Sequence, residues 1–262
     1  MNISCVPAWF GKRIFDLTSE AGIQTILLLN IVKATGYLLK RRGLVVAQMV
    51  NVGVNSLPLI TIISIFTGAV ASWQAAYQFQ GIISKGMSLS FLGAAVSAAI
   101  LIELSPVLVG IVIAGRVGAS IAAELGTMKV TEQIDALESM AVDPVKYLAA
   151  PRFAASWIML PVLVIYANFI AHFGAYAVAH YLLDISGTAF FGSVQRHFLA
   201  YNVFSGMIKA LVFGAGTALI GCSIGFRTSG GAEGVGKSTI RSFVLSASFI
   251  LISNYMLAVI LF

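Results

Sequence analysis

Long apolar runs without charge, separated by short charged clusters, set the pattern of this chain. From Gly43 to Ser84 there is no charged residue, and a membrane-spanning helix needs about 20 apolar residues, so the stretch predicts a first span near Val52 to Phe79. Further runs predict spans over Met87 to Gly115, interrupted only by Glu103, then Phe153 to Leu183, Val203 to Phe226 and Ser242 to Phe262. Five spans place the two termini on opposite sides of a membrane.

Ahead of these runs, Phe15 to Lys40 is mixed. Ile23, Ile26, Leu27, Asn30 and Ile31 fall at helical spacing beside Lys33, Lys40, Arg41 and Arg42, which predicts an amphipathic helix lying along the interface. The alternative is a weakly hydrophobic span ending at Tyr37. Met1 to Phe10 contains Pro7 and lacks the early basic cluster of a cleaved signal peptide. The expected fold class is therefore all-α: a polytopic membrane protein with an interfacial N-terminal region over residues 1–49 and a five-span domain over 50–262.

The loop between the second and third spans, Arg116 to Arg152, departs from the apolar pattern and holds Glu124, Glu132, Asp135, Glu138 and Asp143. Within it Val130, Ile134, Leu137 and Ala141 share one helical face while Glu132, Asp135 and Glu138 share another, and Asp143-Pro144 closes the run. A docking helix over Thr131 to Met140 fits this pattern, and so does a solvated connector. The preceding small-residue run, Gly115 to Gly126, predicts that span two continues out of the membrane as a closely packed helix.

Composition excludes a soluble protein. Hydrophobic residues make up 59%, charged residues 10%, and the mean hydropathy is +0.95, against roughly half apolar and a quarter charged in soluble domains. The sixteen Lys and Arg divide unevenly: thirteen flank the cytoplasmic side of the expected topology, Lys85 and Arg196 the opposite side, and Lys209 lies within span four. The positive-inside rule then puts the N-terminus in the cytoplasm and the C-terminus outside. Topology accounts for the net charge of +6, so no nucleic-acid partner is implied.

Candidate chemistry is sparse. Cys5 and Cys222 lie in unlike segments and support neither a disulfide nor a metal site. Gly231 to Ser238 matches the phosphate-loop pattern G-x-x-x-x-G-K-S, but that chemistry needs a strand before the loop and a soluble α/β domain around it. A short, glycine-rich cytoplasmic turn within a loop of about fifteen residues fits better, spans being joined by short connections. His172, Tyr176 and His180 share a face of span three and read as polar packing rather than haem or metal ligands. No convergent set of acid, base and nucleophile points to catalysis. Glu103 within a span would cost about 2.5 to 3.5 kcal/mol unpaired, and Lys209 is its natural counter-ion.

At this point a resemblance emerges. Glu103-Leu-Ser-Pro-Val-Leu, Ala114-Gly-Arg-Val-Gly, Ala122 through Leu137, Asp143-Pro144, Pro151-Arg152 and Gly230 to Gly236 closely resemble the MlaE/YrbE-type permease family. The likeness extends more weakly from about Asn51 to the end. It implies the permease subunit of an ABC transporter that moves phospholipids between inner and outer bacterial membranes and so maintains outer-membrane lipid asymmetry. It also implies an inner-membrane homodimer with a separate cytoplasmic ATPase, an MCE-domain lipid-binding protein on the periplasmic side, at times a STAS-domain protein, and no cofactor. By the same resemblance Leu57, Ile60, Phe66, Val70, Trp73 and Tyr77 would line a lipid cavity. The intramembrane charges Glu103 and Lys209 would brace the dimer or cavity wall, the alternative being direct contact with a lipid headgroup. With an ATPase partner implied, the two-faced docking helix is the expected coupling element, through Glu132, Gln133, Ile134, Asp135 and Leu137. Where family members often have Arg-Glu-Leu-Gly-Pro this chain has Ile102 to Pro106, and Asn254 stands where some carry an acid. A secondary transporter would use inverted repeats and paired ions, and a membrane enzyme a catalytic set; these are the alternatives.

Overall fold

Inside a bilayer every backbone amide must be satisfied within its own segment, so long apolar runs fold as helices. The computed structural model describes residues 22–83 and 91–262, all regular elements among them helical. Cys5, Lys12, Arg13, Lys85 and the expected helix starts at Phe15 and Met87 lie outside the described residues.

The N-terminal region forms α1 (Gly22–Lys33) and α2 (Thr35–Lys40). Over its described length α1 is about 18 Å long at 1.5 Å per residue, well short of a bilayer core of about 30 Å. Its apolar side chains do not form the single face expected. Leu27 and Ile31 are buried against the protein, whereas Ile23, Ile26, Leu29 and Val32 are exposed and Asn30 is exposed with them. The helix thus rests on its own chain by one side and offers apolar side chains on the other.

The first span is broken near its start: α3 (Arg42–Val52) runs across the expected 49/50 boundary, a 3-10 turn over Val54–Ser56 redirects the chain, and α4 (Leu57–Ile83) follows. The second span is one rod from Leu92 to Val130. It comprises α5 (Leu92–Ala99), α6 (Ser105–Ile113) and α7 (Ala119–Val130), joined by π-turns at Ile100–Leu104 and Ala114–Gly118. The first π-turn ends two residues before Pro106, which has no N–H to give to an α-helical ladder. α7 carries the rod beyond the expected span end at Gly115.

α8 (Gln133–Ser139) is shorter than the expected Thr131 to Met140, because Glu132 adopts a left-handed φ of 60° ahead of it and Ala141 a φ of 59° behind it. A third π-turn, Val145–Ala149, leads into α9 (Ala150–Leu183). α10 (Gly187–Arg196) was not foreseen; it is an amphipathic helix whose first turn is capped by the Ser186 hydroxyl accepting from the Ala189 N–H at 3.3 Å. α11 (Ala200–Phe226) and α12 (Gly231–Leu261) complete the chain. Helix α12 begins well before Ser242, so the expected loop shrinks to Arg227 through Gly230, closed by Gly230 and Gly231 at φ of 91° and 64°. Among the described residues, five helical segments are long and apolar enough to cross a membrane.

Apolar burial does not distinguish helix from lipid here, so the helices associate through close backbone contact. A Cβ on Gly68 of α4 would lie 1.8 Å from the Ala171 carbonyl oxygen of α9, and one on Gly174 of α9 would lie 2.1 Å from that of Ile65. Neither position tolerates a side chain. Gly214 of α11 meets the Ser156 carbonyl of α9, and Gly221 meets that of Gly118 in the second span, in the same way. α11 is thereby the central helix, and Phe213, Leu160, Leu163 and Ile113 close the core around it. α12 contributes few side chains to that core, and Leu251, Ile252, Tyr255, Met256 and Val259 stay exposed.

Candidate functional site

The second span's first π-turn presents Glu103, and α11 presents Lys209 beside it. Glu103 Oε1 accepts from Lys209 Nζ at 2.6 Å, and Oε2 accepts from Asn254 Nδ2 of α12 at 2.9 Å. Lys209 Nζ also donates to the Ile102 carbonyl at 3.1 Å. The ammonium is fully buried, whereas the carboxylate side chain keeps 41% of its surface. Cation and anion cancel, and Asn254 adds a dipole without a third charge. Its Oδ1 is buried without a hydrogen-bond partner among the described residues. With an acid at that position the cluster would carry net negative charge.

A groove of about 700 Å³ opens between α4 and the second span, lined by Phe66, Val70, Ile62, Ile63, Thr67, Gln74 and Gln78 of α4 and by Ala99, Leu104 and Leu108 opposite. Of the six side chains expected to line a lipid cavity, Phe66 and Val70 lie in the wall of this groove. Ile60 is 1% exposed and belongs to the core, and Leu57 packs against that core. Trp73 and Tyr77 are exposed on α4 but outside the groove. The reason is that apolar side chains lie on every side of α4, so they name no face by themselves. A signal was nonetheless present: Thr67, Gln74 and Gln78, spaced i, i+7 and i+11, mark the groove side by their polarity.

On the cytoplasmic side of the expected topology, Arg152 at the start of α9 is nearly buried and ties two elements together. It donates to Glu124 Oε2 of α7 at 3.2 Å and to the Leu148 carbonyl at 2.9 Å, while Ser120 donates to Glu124 Oε1 at 3.0 Å. Arg116, in the second π-turn, donates to Ser56 Oγ and to the Asn51 carbonyl, stapling the second span to the start of the first. Asp143 receives the backbone N–H of Val145 at 3.0 Å and pairs with Lys146 at 3.1 Å. Partial burial opposes ionisation of its carboxyl, but the Lys146 ammonium and these N–H groups outweigh it and hold the group below the usual carboxylate range.

α8 departs from the expectation of an apolar face turned to a partner. Ile134 is 3% exposed within this chain's own core and Leu137 packs against that core. Helical periodicity identifies an apolar face but not what covers it, and here the covering is intramolecular. Turned outward are Glu132, just ahead of α8, and Gln133, Asp135 and Glu138 on it, with Asp135 held by Lys129 at 2.6 Å.

The phosphate-loop match lies inside a helix. Gly231 through Ser238 are the opening turns of α12, Lys237 pairs with Glu233 at 2.6 Å along the helix surface, and a helical backbone cannot wrap a phosphate with consecutive amides. On α9, His172 contacts Ser97 Oγ at 2.9 Å and the Asn168 carbonyl at 2.7 Å, and His180 stacks on Tyr176. Among the described residues no three His, Cys, Asp or Glu side chains cluster as a metal site.

Comparison with known proteins places this geometry. Residues 45–260 match the family described as Permease MlaE. A probable ABC transporter permease protein of Rickettsia prowazekii is 38% identical over 96% of both chains. One of Synechocystis is 42% identical over 97% of this chain and 92% of its own length. The intermembrane phospholipid transport system permease protein MlaE of Haemophilus influenzae is 32% identical, covering 96% of this chain and 95% of its own. A match through all five spans, with the charged pair, the small-residue rod and the α8 connector inside it, means that this chain belongs to the MlaE permease family.

Proposed function

We propose that this chain is the permease subunit of an ABC transporter that moves phospholipids between the inner and outer membranes of a bacterial envelope. The observation that carries the reading is likeness along nearly the whole chain to a permease named for intermembrane phospholipid transport. ATP hydrolysis then belongs to a partner subunit, since the helical Lys237 site cannot hold a nucleotide. The sparse burial of α12 supports a homodimer in which a second copy covers part of its exposed face. The N-terminus faces the cytoplasm and the C-terminus the periplasm, as the distribution of Lys and Arg favours. The outward face of α8 is the contact for the ATPase, and an MCE-domain protein, at times with a STAS-domain protein, completes the assembly.

In this reading the groove beside α4 receives acyl chains along its apolar wall, and Glu103, Lys209 and Asn254 brace the dimer or cavity wall. Co-purification of the tagged permease with its cognate ATPase tests the partnership. Stoichiometric recovery of an ATPase is expected; a chain that purifies alone and still moves lipid would instead support a secondary transporter.

A further inference from the structure

The groove beside α4 changes character along its length. Towards α3 its wall is apolar: Ile62, Phe66 and Val70 are exposed there, with Leu104 and Leu108 of the second span opposite. Thr67 also lies in the wall, but its hydroxyl donates to the Ile63 carbonyl at 2.7 Å, so its own helix satisfies it. At the far end stand Gln74 and Gln78, both exposed. A glutamine amide brings two N–H donors and a carbonyl acceptor, and hydrocarbon offers them no partner.

The depth of these amides follows from the helix. Arg116 donates to Ser56 and to the Asn51 carbonyl just ahead of α4, and that charge marks one edge of the hydrocarbon core. From Leu57, the first residue of α4, the helix rises about 26 Å to Gln74 and about 32 Å to Gln78. A core of about 30 Å then puts both amides at its other edge. Trp73 and Tyr77, exposed on the same turns, are of the types enriched at that level. Ile62 lies about 18 Å below Gln74, close to the roughly 15 Å that one leaflet contributes to the core.

From this polarity we infer that the groove seats one phospholipid upright: its phosphate and ester oxygens accept from the Gln74 and Gln78 amides, and its acyl chains run past Phe66 towards Ile62. An amphiphile of one leaflet's length, polar at one end, matches a groove of that length and polarity. The lipid so held has the orientation of the periplasmic leaflet and enters from it without inverting. Glu103, beside the wall residue Leu104, lies about 20 Å along the second span from Arg116 and so within the core. Its carboxylate is engaged by Lys209 and Asn254, which leaves the headgroup to the two glutamines. The inference rests on the proposed function for the ligand being a phospholipid, and on the proposed topology for naming the leaflet.

Photoactivatable phospholipids read the orientation. Phosphatidylglycerol carrying a diazirine either on its headgroup or at the end of an acyl chain is added in equimolar amount to the detergent-solubilised permease with its cognate ATPase. Labelled positions are then mapped by mass spectrometry. The headgroup label should land between Gln74 and Gln78, and the chain-end label around Ile62 and Phe66. Gln74→Met with Gln78→Met removes both amides at nearly constant volume from exposed positions, so thermal stability should be unchanged. Headgroup labelling should then fall about fivefold, the factor carried by one ordinary hydrogen bond, while chain-end labelling stays. Gln74→Asn with Gln78→Asn keeps the amides and should retain most of the headgroup labelling. The reversed pattern, headgroup labelling around Glu103, or headgroup labelling indifferent to Gln74→Met with Gln78→Met would overturn the seat. So would a groove labelled by neither lipid, as when a second copy of the chain fills it. Loss of ATP-driven transfer with the labelling pattern intact would count against the proposed function alone.

Discussion

Glu103 and Lys209 stand in a setting where each needs the other. Removing either partner leaves a charge without compensation in an apolar surround, whereas removing both leaves neutral groups. Glu103→Gln and Lys209→Met should each destabilise the detergent-solubilised protein, and the double variant should be milder than their sum. A thermal-unfolding cycle should return a coupling in the range of roughly 0.5–3 kcal/mol. Strict additivity would show that the 2.6 Å contact contributes no coupling. Lys237 is the opposite case: its bond to Glu233 is almost fully exposed, and such helix-surface pairs are worth about 0.3–0.5 kcal/mol. Lys237→Ala should leave ATP hydrolysis by the assembled complex at the level of the unmodified one; abolished hydrolysis would return the phosphate-loop reading to contention. The partnership of Glu103 and Lys209 was legible in the sequence because intramembrane charges are few. The bond from Asn254 was not, since an amide within a span carries no sign that names its partner.

Helices raise two further expectations. The crossing of α4 and α9 depends on Gly68 and Gly174 meeting carbonyls of the opposite helix. Gly68→Val or Gly174→Val must separate the two backbones, and either should lower thermal stability and disturb the groove lined by Phe66 and Val70. Wild-type stability in both variants would contradict that contact. On α8 the buried and outward faces should separate by phenotype. Ile134→Ala opens a cavity in this chain's core and should cost roughly 2–5 kcal/mol. Glu132→Lys with Asp135→Lys should leave the fold intact and weaken pull-down of the ATPase. Full ATPase recovery with the double charge reversal would move the contact elsewhere, most directly to the turn from Arg227 to Gly230. Sequence pattern predicted α8 and its two faces, but periodicity reports only that a face is apolar, and the cover proved to be this chain's own core. α10 escaped notice because a ten-residue helix in a loop lacks the length that makes spans conspicuous. The π-turns escaped as well, although Pro106 lies just past the first of them.

For the whole molecule, the spans follow from hydropathy, because a bilayer core leaves no backbone group unsatisfied, and the proposed orientation rests on the loop charges alone. Which faces of those spans meet lipid, partner or their own chain did not follow, since apolar side chains lie on every side of α4 and of the membrane-spanning part of α12. Single cysteines test the orientation: in a background lacking Cys5 and Cys222, a cysteine at Ser229 should react with membrane-impermeant maleimide only after inner-membrane disruption, and one at Thr188 in intact spheroplasts. The reverse pattern would invert the topology. The central claim is that the chain conducts phospholipid under the drive of an ATPase. It is tested most directly by reconstituting the permease with its cognate ATPase and MCE-domain protein in liposomes containing fluorescent phospholipid. Transfer to acceptor liposomes is then followed with ATP, with a non-hydrolysable analogue, and with the permease omitted. The account predicts transfer that requires both the permease and ATP hydrolysis; transfer that proceeds equally without hydrolysis, or without this chain, would contradict it.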